Sequence, residues 1–150
     1  MELTLGLCLP RDALSVPVAR HIAAQALQAA GFDASDVEAI GLALTEACTN
    51  VLRHSVDGDR YEVRARLDEQ TLVLEVIDAG HGFDGTALGS MDSDGVDPSA
   101  ESGRGVQLMR AMVDDVRFDY TPGRGSIVSM TKNLHASVGS APLRLRPEEA

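Results

Sequence analysis

Three clusters in this 150-residue chain set polar side chains at spacings that folded elements could put to chemical use. In Thr45-Glu46-Ala47-Cys48-Thr49-Asn50-Val51-Leu52-Arg53-His54, residues Glu46, Asn50 and His54 stand four apart. On a helix each advances about 40° from the last, so the three form one polar stripe on an otherwise apolar surface. Glu46 can take a proton or hold a water, and one turn away Asn50 can offer an oxygen to a hard cation such as Mg2+. A solvated helix face is the plainer reading of the same stripe, and His54 reads best as a residue interacting with the helix C-terminus.

The second cluster, Val76-Ile77-Asp78-Ala79-Gly80-His81-Gly82-Phe83, runs a strand straight into an Asp and two spaced glycines. The acceptor-only oxygens of Asp78 suit the exocyclic amine of an adenine, and Gly80 and Gly82 let the backbone turn close to a flat ring. A simple turn competes with that reading. The third, Glu101-Ser102-Gly103-Arg104-Gly105-Val106-Gln107-Leu108-Met109, leads two glycines into a helix. Consecutive N–H groups there, the helix dipole and Arg104 together make a phosphate cradle by composition, against an ordinary glycine-opened helix. It is neither a P-loop, for no Gly-Lys-Ser/Thr follows, nor the dinucleotide fingerprint, for no strand precedes it and the third glycine is absent.

Other chemistries find no support. Asp78, Asp84, Asp92, Asp94 and Asp97 lack the loop glycine and distal Glu of the 12-residue calcium site. There is no Gly-x-Ser-x-Gly elbow, no His-Arg-Asp loop and no Asp-Phe-Gly. Any kinase chemistry must use a fold other than that of the typical protein kinases.

The elements that must carry these clusters follow from periodicity. Residues 2–9 predict a strand, and 14–30 a helix capped by Ser15, with Pro17 in its first turn and Gly31 closing it. Residues 35–54 predict a second helix, opened by the capping box Ser35-Asp-Val-Glu38 and buried on most sides. Two hairpins are expected, 61–67 with 71–77 and 116–120 with 126–134, with a short helix at 106–113 between them. From Asp78 to Gly105 the chain loses periodicity over about 28 positions, a length typical of functional loops. The tail from His135 reads as disordered.

Composition narrows the ligand. Against 23 Asp plus Glu stand 13 Lys plus Arg, a formal net charge of −10, which disfavours nucleic acid and anionic membranes but leaves a small phosphorylated ligand held by backbone N–H groups. Cys8 and Cys48 are too few for a disulfide framework or a zinc site and suit a reducing cytosol. The first residues lack the pattern of a signal peptide, and no apolar run approaches the roughly 18 residues of a spanning helix, so a soluble cytoplasmic protein of one domain is expected.

Taken in order, the three clusters resemble the ATP-binding boxes of the GHKL superfamily, shared by gyrase-type ATPases, the heat-shock chaperone of that class and sensor histidine kinases. The small size and the wording Thr-Glu-Ala-Cys-Thr-Asn, Asp-Ala-Gly-His-Gly-Phe, Glu-Ser-Gly-Arg-Gly-Val and Met-Val-Asp-Asp-Val resemble the bacterial anti-sigma-factor serine/threonine kinases. The resemblance covers about Leu3 to Leu134. It implies an α/β fold, the two-layer Bergerat-type sandwich, with a mixed, mainly antiparallel sheet and helices on one face. It implies ATP and Mg2+ as cofactors, with Glu46 as general base or water-orienting group and Asn50 as magnesium ligand. Asp78 would accept the adenine amine, with Gly80 and Gly82 shaping that pocket. Gly103, Arg104, Gly105 and Val106 would contact phosphates, Ser126 would stand where the superfamily usually has a Thr supporting adenine through water, and Asp84 to Ser102 would be the ATP lid. The partners implied are a sigma factor, sequestered often by a homodimer, and an anti-sigma-factor antagonist that is phosphorylated. A nucleotide-holding switch without useful catalysis is the alternative. The acidic, serine-rich lid, without a Lys, identifies no γ-phosphate contact other than Arg104.

Overall fold

The computed structural model describes residues 2–54, 60–78, 101–121 and 125–137. Five strands, β1 (Glu2–Pro10), β2 (Arg60–Asp68), β3 (Thr71–Asp78), β4 (Asp115–Thr121) and β5 (Gly125–Asn133), form one sheet in the order β1-β2-β3-β5-β4. All four pairings are antiparallel, so the parallel component of the expected mixed sheet does not occur among the described strands. Among the described residues three helices, α1 (Ser15–Ala29), α2 (Ala34–His54) and α3 (Glu101–Met112), make the second layer. The two-layer α/β arrangement is the one expected.

Strand periodicity explains which face is covered. In β3, Leu72, Leu74, Val76 and Asp78 are buried while Thr71, Val73, Glu75 and Ile77 are only half-buried, a period of two with the helices on the first set's side. Across the ladder Leu74 pairs with Met130, Val76 with Val128 and Asp78 with Ser126, and all six are buried. Against this surface α2 lays Val37, Ile40, Ala43, Leu44, Ala47, Cys48 and Val51.

The caps differ from expectation. Helix α1 begins after Leu14 with no side-chain cap; Ser15 is buried instead, its Oγ 2.6 Å from the Tyr61 hydroxyl. Helix α2 begins at Ala34, one residue early, and the Ser35 hydroxyl donates to Asp33 Oδ2 at 2.8 Å rather than serving as a capping box. A buried tyrosine hydroxyl and a preceding carboxylate won both serines. The C-terminus of α1 is as expected: Gly31 adopts φ 88°, its N–H donates to Gln28 O and that of Phe32 to Leu27 O, the paired bonds of a left-handed helix stop.

Residues 135–137 also depart from the expected disordered tail. Asp33 N–H donates to His135 O, Ser137 N–H to Gly31 O, and His135 N–H to the buried Asp36 carboxylate at 2.7 Å. His135 Nδ1 lies 2.9 Å from the same oxygen. This segment closes the α1–α2 corner; residues 138–150 lie outside the described part.

Leu74, 1% exposed between α2 and the neighbouring strands, tests the core. Leu74→Ala is expected to lower the unfolding free energy by about 2–5 kcal/mol in a urea titration, with the slope unchanged.

Candidate functional site

The polar stripe forms as the spacing required, on the exit half of α2. Glu46 is half-buried and Asn50 is 4% exposed, with no hydrogen-bond partner for its Nδ2 among the described residues. The His54 side chain lies outside the described part. Sheet periodicity sends Asp78 inward as the last member of the Leu72-Leu74-Val76 series, and its cross-strand partner Ser126 follows the same rule at the start of β5. Asp78 is fully buried, Ser126 is 2% exposed, and the Ser126 Oγ has no hydrogen-bond partner among the described residues. Unpartnered buried donors on both Asn50 and Ser126 are what a polar ligand would complete.

Helix α3 departs most from the sequence reading. It starts at Glu101, not Val106, so Gly103, Arg104, Gly105 and Val106 lie within its first two turns. Gly103 and Arg104 are among the first four residues, whose N–H groups have no acceptor inside a helix, but Gly105 and Val106 are past that point. Val106 is fully buried in the core and Gly105 is buried against α2. Two glycines read locally as loop because glycine is a poor helix former; here packing of Val106 and Met109 overrides that preference. Glu101 and Ser102 therefore belong to α3 rather than to the expected lid. Gly80, Gly82 and the rest of that lid, 84–100, lie outside the described residues.

Gly105 brings two of the clusters together. A Cβ on Gly105 would sit 2.7 Å from Glu46 Oε1, so the missing side chain is the space the carboxylate occupies. Glu46, Arg53, Arg104, Gly105 and Leu108 line an open cleft of about 230 Å³. Arg53 was not singled out from the sequence, although it stands three residues after Asn50 and shares its helix face. A larger groove between α1 and α2, lined by Arg20, His21, Val37 and Leu42 among others, contains none of the predicted residues.

A second missed residue is Arg11, in the β1–α1 connector. Its Nη2 lies 2.9 Å from Asp78 Oδ2 and its Nη1 donates to Val51 O at 3.3 Å. Beneath the stripe, Cys48 is hydrogen-bonded to Tyr61 and Tyr61 to Ser15. Burial pushes the Cys48 thiol up to about 12, against the Tyr61 hydrogen bond that lowers it. Among the described residues no group of three or more His, Cys, Asp or Glu comes together as a metal site.

With this geometry in place the comparisons are specific. The model of the histidine kinase-like ATPase domain matches residues 9–132. The chain belongs to the histidine kinase-like ATPase family. Among family members, the serine-protein kinase RsbW of Bacillus licheniformis is 34% identical over 113 residues, 70% of this chain and 69% of that protein. The protein of the same name from Bacillus cereus strain AH187 is 32% identical over 133 residues, 84% and 82% of the two chains. In fold, this histidine kinase-like ATPase domain is similar to the structure of the RsbU and RsbW domains of Rv1364c from Mycobacterium tuberculosis. That match has a TM-score of 0.66 at 20% identity, over 88% of this chain and 32% of that one. It is also similar to the SiaB–SiaC complex of Pseudomonas aeruginosa, with a TM-score of 0.64 at 14% identity over 85% and 87%. Among the described residues no helix is long and apolar enough to cross a membrane.

Two outcomes test the local geometry. Gly105→Ala is expected to cost no more than about 1 kcal/mol, because the atom it meets ends a flexible side chain, while a crystal structure of the variant shows the Glu46 carboxylate displaced. The two thiols should separate in iodoacetamide labelling at pH 8: exposed Cys8 reacts, whereas Cys48 stays unmodified until the chain is unfolded. Since the Cys48 pKa is raised on folding, its contribution to stability is complete below pH 9 and is lost as the pH rises from 9 toward 12.

Proposed function

We propose that this chain is an ATP-dependent serine/threonine protein kinase and anti-sigma factor, which sequesters a sigma factor and phosphorylates an anti-sigma-factor antagonist. The observation that carries the reading is the closeness of Glu46 to Gly105 on a cleft that Arg53 and Arg104 also line. A carboxylate base, a helix start and two guanidinium groups on one cleft are the parts that transfer of a γ-phosphoryl group requires. Names of relatives that are serine-protein kinases support the same choice.

In this reading Asp78 accepts the adenine amine and Ser126 hydrogen-bonds the same edge of the base, directly or through water. Gly103 and Arg104 N–H groups, with the Arg104 and Arg53 side chains, hold the phosphates. Asn50 offers its carboxamide oxygen to Mg2+, which when bound neutralises phosphate oxygens. Glu46 takes the proton of the attacking serine hydroxyl as the new O–P bond forms and the bond to the bridging oxygen of ADP breaks. Gly80 and Gly82 shape the base pocket, and Gly105 gives Glu46 its room while Val106 anchors α3 beside it. The partners, a cytoplasmic setting, a homodimer and a domain closing near residue 137, with a disordered tail beyond it, belong to the proposal too.

Incubation with γ-labelled ATP, Mg2+ and an antagonist protein from the same genome tests it. The expected product is phosphoserine or phosphothreonine on the antagonist, and Glu46→Gln should bind ATP within about threefold of the native chain while transfer falls about 10²–10⁴-fold. Undiminished transfer by that variant removes Glu46 as the base. ATP binding by the native chain without transfer would leave a nucleotide-held partner switch.

A further inference from the structure

The Arg11–Asp78 ion pair takes no part in the chemistry above, yet it contacts the group proposed to read the base. Asp78 has no exposed surface, and a guanidinium nitrogen lies 2.9 Å from its Oδ2. The other terminal nitrogen of Arg11 reaches the Val51 carbonyl, in the last turn of α2, where carbonyls have run out of helical N–H partners. One planar fork thus answers two acceptors on two elements, a task the point charge of a lysine does poorly.

The connector presenting Arg11 is itself held. The Asp12 carboxylate accepts from Leu14 N–H at 3.0 Å, the Asp12 carbonyl from Ser15 N–H at 2.8 Å, and Ser15 Oγ is tied to Tyr61. The guanidinium therefore meets Asp78 from a braced position rather than from a loose surface chain.

We propose that Arg11 is a specificity-determining positioning residue, which holds Asp78 as a fixed acceptor and so selects a 6-amino purine nucleotide over a 6-oxo one. The inference rests on the reading of Asp78 as the base contact. A carboxylate paired with a guanidinium accepts hydrogen bonds and donates none, so it matches an exocyclic N–H and opposes a carbonyl oxygen. Without the guanidinium the carboxylate can turn from that position, which loses the bond to an exocyclic N–H and relieves the opposition to a carbonyl oxygen. Arg11 thus strengthens one ligand and penalises the other, and discrimination is the difference between the two. A residue that merely stapled α2 to β3 would weaken both nucleotides alike when removed.

Equilibrium binding of ATP and of GTP, each with Mg2+, to the full chain and to Arg11→Gln and Arg11→Lys separates these cases, with thermal melts on every sample. The native chain should prefer ATP by about 100-fold or more. In Arg11→Gln the ATP affinity should fall about tenfold while GTP is unchanged or tighter, so that the ratio drops at least about tenfold. Arg11→Lys, which keeps a cation at Asp78 but not the second contact, should give a ratio between the two, and decides the matter alone if the Gln variant does not melt cooperatively. A native ratio retained in whichever variant folds, or a native chain that binds ATP and GTP equally, overturns the role of Arg11 and leaves the nucleotide reading standing. A native chain that binds neither overturns the nucleotide reading itself.

Discussion

Helix α2 holds Ala43, Leu44, Ala47, Cys48 and Val51 entirely out of water, and that burial constrains the rest of the molecule. A polar group on such a helix must be answered by something nearby, because an unpaired buried donor or acceptor costs about 1–3 kcal/mol. Glu46 is answered by space, in the shape of Gly105 on the facing helix. Thr45 bonds back to the Gly41 carbonyl at 2.8 Å. Cys48 leans on Tyr61, and Asn50 keeps an unpartnered nitrogen among the described residues. The candidate site is the part of the helix surface where the core leaves polar groups that a ligand would complete.

The same packing explains why α3 starts early. Val106, Met109 and Val113 are the buried positions at helical spacing, and once they are seated on α2 the backbone before them continues the helix at modest cost, about 1 kcal/mol for each glycine included. Gly103 and Gly105 then serve close approach rather than loop flexibility. The phosphate-binding role proposed for this end is reduced accordingly: two of the four expected N–H donors remain at the open end, and the guanidinium groups of Arg53 and Arg104 line the cleft below.

What could be read from the sequence was whatever depended on neighbours along the chain. The alternation Leu72-Leu74-Val76-Asp78 carries the period that sends the carboxylate to the inner face, although the expected strand stopped at Ile77, and the four-residue spacing of Glu46 and Asn50 placed both on one stripe. The Gly31 helix stop was legible for the same reason. Ser15 and Ser35 misled because their hydroxyls are claimed by Tyr61, far along the chain, and by Asp33, which competes locally with a cap. Arg11 was invisible because its two partners lie on β3 and on α2, with 40 residues separating it from Val51. Period and spacing carry no trace of a side chain whose function is to join elements remote in sequence.

That distinction also resolves the charge. A chain with net charge −10 is an odd host for a nucleotide if charge acts globally, but at physiological ionic strength exposed charges are screened beyond about 8 Å. Only charges at the site then count: Arg53 and Arg104 line the cleft with Glu46, while Arg11 is paired with Asp78. Twelve of the thirteen basic residues are Arg, and Lys132, the remaining one, lies 3.8 Å from Asp36 at the α1–α2 corner. A planar fork that can hold two acceptors at once suits a carboxylate paired with a helix carbonyl, as at Arg11, and a phosphate with several oxygens, as proposed for Arg53 and Arg104. At Arg11 the geometry of its two acceptors, rather than the global balance, sets what the positive charge does, and the same is proposed for Arg53 and Arg104 on the cleft.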